Sequence, residues 1–242
     1  MSEVGERLSV LGVPVDLVED YTQCLISRLQ ESQGGHVVTL NAEMTMQAET
    51  NPELARIVEN AELVVPDGAG VVLYLRLRGR KVKRCPGIEL AERTIERSST
   101  LATSQSIFLY GGQPGVAQTA ARNLQQRYPD IASAGVQHGY LSPDEALELQ
   151  NTLKELQPSL ILVGLGVPRQ EFWIAEHRHL CPNSLWIGVG GSFDIWAGVK
   201  TRAPAWLGNL HLEWAYRLYQ EPWRWRRMLA LPKFALKALA QQ

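Results

Sequence analysis

The sequence predicts an α/β protein: a mostly parallel, Rossmann-like sheet with helices on both faces, followed by a C-terminal helical appendage. Short β-branched runs alternate with longer stretches whose apolar residues recur at three- and four-residue spacing. Such alternation lays strands side by side in parallel under a cover of helices. The strand signal stops near Pro204, and beyond it Trp206, Trp214, Trp223 and Trp225 are interleaved with arginines. A core over residues 1–204 and an appendage over 205–242 follow from that change in composition.

Taken in order, the strand runs are Leu8 to Val15, His36 to Leu40, Leu63 to Pro66, Ser106 to Tyr110, Ile131 to Val136, Leu160 to Gly164 and Leu185 to Val189. Helix starts punctuate the segments between them: Asn51-Pro52-Glu53, Pro114 after Gly111-Gly112-Gln113, and Ser142-Pro143-Asp144-Glu145, each a cap or proline before an acidic or helical first turn. At 242 residues the chain is long enough for a full core. Cys24, Cys85 and Cys181 lie far apart with no Cys-x-x-Cys, which predicts ordinary buried thiols in a reducing cytosol and no structural zinc. The N-terminus has no basic flank before an apolar core, and no apolar run approaches the ~18 residues of a bilayer span. Neither a signal peptide nor a membrane helix is expected. The net charge of −1 is unevenly placed: residues 209–242 carry Arg217, Arg224, Arg226, Arg227, Lys233 and Lys237 against Glu213 and Glu221.

In open parallel sheets ligands collect at the carboxyl ends of strands, so the residues just after each run are the candidates. Gly188-Val189-Gly190-Gly191-Ser192-Phe193-Asp194 reads as a strand opening into a glycine loop whose amides can approach a phosphate, with Lys200 and Arg202 close behind. The same loop also reads as a tight turn. Asp67, after Leu63-Val64-Val65-Pro66 and before Gly68-Ala69-Gly70, is placed either for general base work or for capping the next helix. Thr39 and Asn41 point the same way in extended geometry, suited to a sugar or a uracil edge, with helix capping by Asn41 as the other reading. Gly166-Val167-Pro168-Arg169-Gln170-Glu171 sets three long polar groups after a strand-end glycine, more than a turn requires. Arg84 ends the basic run from Arg76, which reads as a solvated charged face.

Several chemistries lack their patterns. There is no Asp-x-Asp, His-Glu-x-x-His or paired Cys/His spacing, and His177 and His179 read as surface or interface histidines. Gly-x-Ser-x-Gly and the phosphate loop ending in Gly-Lys-Ser/Thr are absent. Gly188-x-Gly190 has Phe193 where the dinucleotide fingerprint needs a small residue, which disfavours a nicotinamide oxidoreductase. A non-catalytic nucleotide-binding module is the other alternative.

The motifs together, Thr39-x-Asn41, Pro66-Asp67-Gly68, Arg84-x-x-Gly87, Leu109-Tyr110-Gly111-Gly112, His138-Gly139-Tyr140, Gly164 to Glu171, Gly188 to Asp194, Arg202-Ala203-Pro204 and Glu213-Trp214-x-x-Arg217-Leu218, closely resemble the WecG/TagA/CpsF family of bacterial glycosyltransferases from about Leu8 to Arg227. The resemblance implies a hexosyltransferase of cell-surface polysaccharide synthesis. Its donor would be a UDP-sugar, typically UDP-N-acetylmannosamine, and its acceptor a sugar on polyprenyl diphosphate at the inner face of the cytoplasmic membrane. It implies no metal, no cofactor beyond the donor and no nucleic-acid partner. By position it makes Asp67 the base, Thr39, Asn41 and Gln170 its pocket partners, and Arg84 a phosphate-binding arginine. Gly111, Gly112, Gly166, Arg169, Gly188, Gly190, Gly191 and Asp194 complete the expected donor site. Cys85-Pro86 and Ala42 depart from the pattern and leave the sugar open.

In the tail, Trp214, Tyr216, Tyr219, Trp223 and Trp225 alternate with Arg217, Arg224, Arg226 and Arg227 around Pro222. Such a segment suits an anionic bilayer surface, and Arg217, Arg224 and Arg227 suit the acceptor's diphosphate. A helical appendage packed on its own domain or on another subunit is the competing expectation.

Overall fold

In the computed structural model, which describes residues 5–101, 105–209 and 212–240, six parallel strands form one sheet and a hairpin forms a second. The hairpin is β1 (Glu6–Val10) and β2 (Val13–Leu17). The main sheet holds β3 (Gly35–Leu40), β4 (Leu63–Pro66), β5 (Ser106–Gly111), β6 (Ala132–Gln137), β7 (Leu160–Gly164) and β8 (Leu185–Gly188), in the spatial order β4-β3-β8-β7-β5-β6. Between them run α1 (Tyr21–Gln30), α2 (Ala42–Thr50), α3 (Pro52–Glu59), α4 (Ala69–Leu77), α5 (Gly87–Ser99), α6 (Val116–Arg127), α7 (Pro143–Leu156), α8 (Arg169–His177) and α9 (Ser192–Trp196). The tail adds α10 (Ala205–Asn209), α11 (Glu213–Gln220), α12 (Trp225–Met228) and α13 (Ala230–Ala240).

The run Leu8 to Val15 is two strands, not one. Leu11 and Gly12 have φ of 51° and 88°, the left-handed pair of a two-residue hairpin turn, and Val10 comes to lie opposite Val13. Apolar residues on both sides of the turn hide it, because Val10, Val13 and Val15 all enter one core. The hairpin covers the β4 edge through a side chain: buried Asp16 accepts from the Val64 amide at 2.7 Å and from Arg7 at 2.6 and 2.9 Å.

Successive residues of β3 feed opposite faces of the sheet. Val37 joins the core under α1, α5 and α6, while Val38 and Leu40 join the core under α2, α3 and α4. Both faces are therefore covered. Asn51 caps α3, and Ser142 with Glu145 closes a capping box on α7. Helix α6 starts at Val116, behind Gly115 at φ 85°, so Pro114 precedes the helix and does not open it.

The tail packs on its own core. Phe234 of α13 is 4% exposed and meets the Tyr74 ring of α4 edge-on at 6.1 Å between centroids, and Lys237 pairs with Glu49 of α2. Among the described residues no helix is long and apolar enough to cross a membrane. Of the surface-or-interface reading of His177, the structure corrects the surface half: the side chain is buried, stacked 4.5 Å from the Trp173 ring. Cys24 and Cys85 are only partly buried, and Cys181 is buried; all three are free.

Candidate active site

The halves of the sheet meet where β3 lies beside β8, with the chain leaving β3 outward to β4 and returning to β8 from β7. A cleft of about 170 Å³ opens over the carboxyl ends of these strands. Thr39, Asn41, Asp67, Gly166, Gln170, Gly190, Gly191 and Asp194 line it, as do Arg217, Arg224 and Arg227 from the tail. Gly111, Gly112, Arg169 and Gly188 do not. Gly111 instead packs on the backbone of Gly164, where a Cβ would come within 2.5 Å of the Gly164 carbonyl, and Arg169 is exposed near Tyr110.

Thr39 is buried and its hydroxyl donates to the Gly188 carbonyl at 3.3 Å. Gly87 presses the start of α5 onto it; a Cβ there would sit 2.9 Å from Thr39 Cγ2. Asn41 fulfils the capping reading, its Oδ1 accepting from the Met44 amide at 3.0 Å, while its residue also lines the cleft. Asp67 is not used as a cap: α4 begins behind Gly68 with no side-chain bond to its first turn.

Asp67 sits among charges. The Arg84 Nε donates to the Asp67 carbonyl at 2.7 Å, and Arg84 Nη2 lies 3.9 Å from its carboxylate. The same guanidinium is ion-paired with Glu213 of α11, so Arg84 already holds an anion supplied by the tail. Arg84 lines the neighbouring apolar groove and not the polar cleft. Burial pushes the Asp67 carboxyl above the usual carboxylate range; Arg217 and Arg84 pull it down, and Glu213 pushes it up. Burial also raises Glu213, but Arg84, Arg217 and Arg202 outweigh it and hold Glu213 low. A carboxylate raised in this way is a better proton acceptor.

The glycine loop is tied from below. Gln170 Oε1 accepts from the Gly190 amide at 3.0 Å, and its Nε2 donates to Glu171 Oε1 at 2.9 Å. Glu171 Oε2 lies 2.7 Å from His36 Nε2, and all three side chains are buried. The Gly188 position must lack a side chain, since a Cβ would meet Gln170 Nε2 at 2.3 Å. Ser192 lines the cleft, and its hydroxyl donates to the Val189 carbonyl at 2.6 Å.

The tail closes the other wall. Lys200 bridges Asp194 at 2.6 Å and Glu221 at 3.0 Å, and Thr201 bonds the Tyr216 hydroxyl at 2.8 Å. Arg227 pairs with Glu43 at 3.1 Å and donates to the Val167 carbonyl at 2.8 Å. Arg224 meets Glu221 at 3.1 Å, yet burial, with Arg227 and Arg217 nearby, pushes its guanidinium below its ordinary value. Crowded cations of this kind favour an added anion. Lys200, expected to offer its charge to a phosphate, and Tyr216, expected at the bilayer surface, are instead engaged at this wall, while Glu43 and Glu221 were assigned no role from sequence. For Glu221 the signal is the four-residue spacing from Glu213 through Arg217, which carries one face of α11 to its C-cap. Among the described residues no three His, Cys, Asp or Glu side chains gather as metal ligands.

A profile of the glycosyl transferase WecG/TagA/CpsF family matches residues 8–242. The chain is 32% identical over 234 residues to an N-acetylglucosaminyldiphosphoundecaprenol N-acetyl-beta-D-mannosaminyltransferase of Bacillus spizizenii, covering 94% of this chain and 90% of that one. Proteins of the same description from Bacillus subtilis and Staphylococcus aureus are 34% and 33% identical, covering 88% and 96% of this chain and 82% and 91% of theirs. A match of that extent, on a chain whose strand-end cleft gathers Thr39, Asn41, Asp67 and Gln170, shows that it belongs to the WecG/TagA/CpsF family of glycosyltransferases.

Proposed function

We propose that the protein moves an N-acetylhexosaminyl group, N-acetylmannosamine by analogy with its relatives, from a UDP-sugar to a sugar carried on polyprenyl diphosphate. The observation that carries this reading is the Asp67 carboxylate, raised in basicity by burial, where the polar cleft meets the apolar groove. An acceptor hydroxyl attacks the anomeric carbon and gives its proton to Asp67, while the bond to UDP breaks and its electron pair leaves with the diphosphate. One displacement of this kind inverts the anomeric centre. Cations and backbone amides of the cleft neutralise the departing charge, so no metal is needed. Arg217, Arg224 and Arg227 take the acceptor's diphosphate.

Exposed Tyr219, Trp223 and Trp225, with Arg226 over the Trp225 ring at 5.4 Å, form a surface suited to the headgroup layer of an anionic membrane. The protein then works peripherally on the cytoplasmic face. The test is incubation with UDP-N-acetylmannosamine and a short-chain lipid-diphosphate-linked N-acetylglucosamine, with and without EDTA. A product one N-acetylhexosamine heavier, of inverted anomeric configuration by NMR and formed equally in EDTA, is expected. Retained configuration, or activity abolished by EDTA and restored by magnesium or manganese, contradicts the mechanism.

A further inference from the structure

We infer that the apolar groove between α4 and α13 seats the first isoprene units of the acceptor's lipid chain, a reading that rests on the polyprenyl-diphosphate acceptor proposed above. The groove measures about 670 Å³ against about 170 Å³ for the polar cleft. Its inner end is shared with the cleft through Asn41, Glu43, Asp67, Glu213, Arg217 and Arg224. Away from that end the lining turns apolar: Leu73 and Leu77, one turn apart on α4, and Leu231, Ala235 and Leu239, at successive turns of α13. Gly70 lets the two helices close at the base, where a Cβ would lie 3.3 Å from Ala42 and 3.4 Å from the Phe234 ring.

Leu73, Leu77 and Leu239 are 58%, 55% and 61% exposed. A single exposed leucine is ordinary, but three on one groove make a contiguous apolar surface that calls for an occupant. Continuity with the charged site identifies it. A diphosphate at Arg217 and Arg224 presents its sugar to Asp67 on one side, and its prenyl chain has to leave on the other, where the apolar lining begins. From Leu231 to Leu239 the wall runs about 12 Å at 1.5 Å per residue, room for the start of the chain while the rest stays in the bilayer.

The test titrates the intact protein, free of lipid and detergent, with farnesyl diphosphate and with inorganic diphosphate by calorimetry. Farnesyl diphosphate should bind at least about tenfold tighter, as burial of its apolar surface requires. Leu73→Gln/Leu77→Gln, and separately Leu239→Gln, should erase most of that advantage while leaving inorganic diphosphate affinity and the melting temperature unchanged. Equal affinity for the two ligands, or an advantage that survives both variants, overturns the proposal. Loss of binding to anionic vesicles in these variants with the farnesyl advantage intact overturns it too, assigning the leucines to the bilayer. Absence of transfer to any lipid-linked sugar would sink the acceptor reading instead, and the farnesyl titration would still decide what the groove binds.

Discussion

Arg84 and Glu213, paired with each other, act on the Asp67 carboxyl with opposite signs. As the proposed base, Asp67 works ionised, so kcat/KM should fall as pH drops through its pKa, which burial places above the ordinary ~3.9. Arg84→Ala removes a cation that favours the ionised form, and the acidic limb of the profile should move to higher pH. Glu213→Gln removes an anion that disfavours it and leaves Arg84 free for Asp67, so the limb should move to lower pH. Shifts of the same sign in the two variants, read from kcat/KM profiles, would refute this electrostatic assignment. Asp67 was legible in the sequence because a carboxylate directly after an apolar run has few places to go but the rim of a sheet. Asn41 was legible in both of its readings, since one oxygen caps α2 while the residue still faces the cleft. The occupation of Arg84 by Glu213 was not legible, because the pairing spans 129 positions and depends on how the tail folds back.

At the scale of elements, α13 holds the tail down and α11 brings its charges to the cleft. Phe234 and Ala238 are the buried residues of α13, while Leu239 lines the open groove and Leu236 lies exposed outside it. Phe234→Ala should destabilise the protein by about 3–5 kcal/mol, as large-to-small changes at buried aromatics do. It should also raise KM for the lipid-linked acceptor more than for the donor, because α13 forms one wall of the groove. Chemical denaturation and paired KM measurements check both parts; equal effects on donor and acceptor would detach the tail from acceptor binding. Periodicity located the strands of the main sheet to within a residue or two, since β-branched runs between helical stretches have one natural arrangement. It merged β1 with β2 because the turn at Leu11 and Gly12 interrupts neither apolar side. The change in composition marked the C-terminal helical segment, and packing on its own domain was one of the readings it allowed; that Phe234 meets Tyr74 is a detail no local pattern reports.

For the whole molecule, the strand order brings β3 and β8 together, so residues from Thr39 to Gly191 converge at one rim and the tail crosses over it. Cleft and groove meet at Asp67, and Gly111, Gly112, Arg169 and Gly188 lie outside both. Gly111 was legible as special but not in kind: close backbone approach to Gly164 and approach to a phosphate make the same demand on sequence. The account depends most on Asp67 as the base that takes the acceptor's proton. Mass spectrometry of sugar transfer to a short-chain acceptor by Asp67→Asn, beside calorimetry of UDP binding, tests it most directly. The expected result is unchanged UDP affinity and melting temperature with turnover lowered about 10²–10⁴-fold, the usual contribution of a positioned base. Turnover within a few-fold of the unsubstituted protein would contradict it.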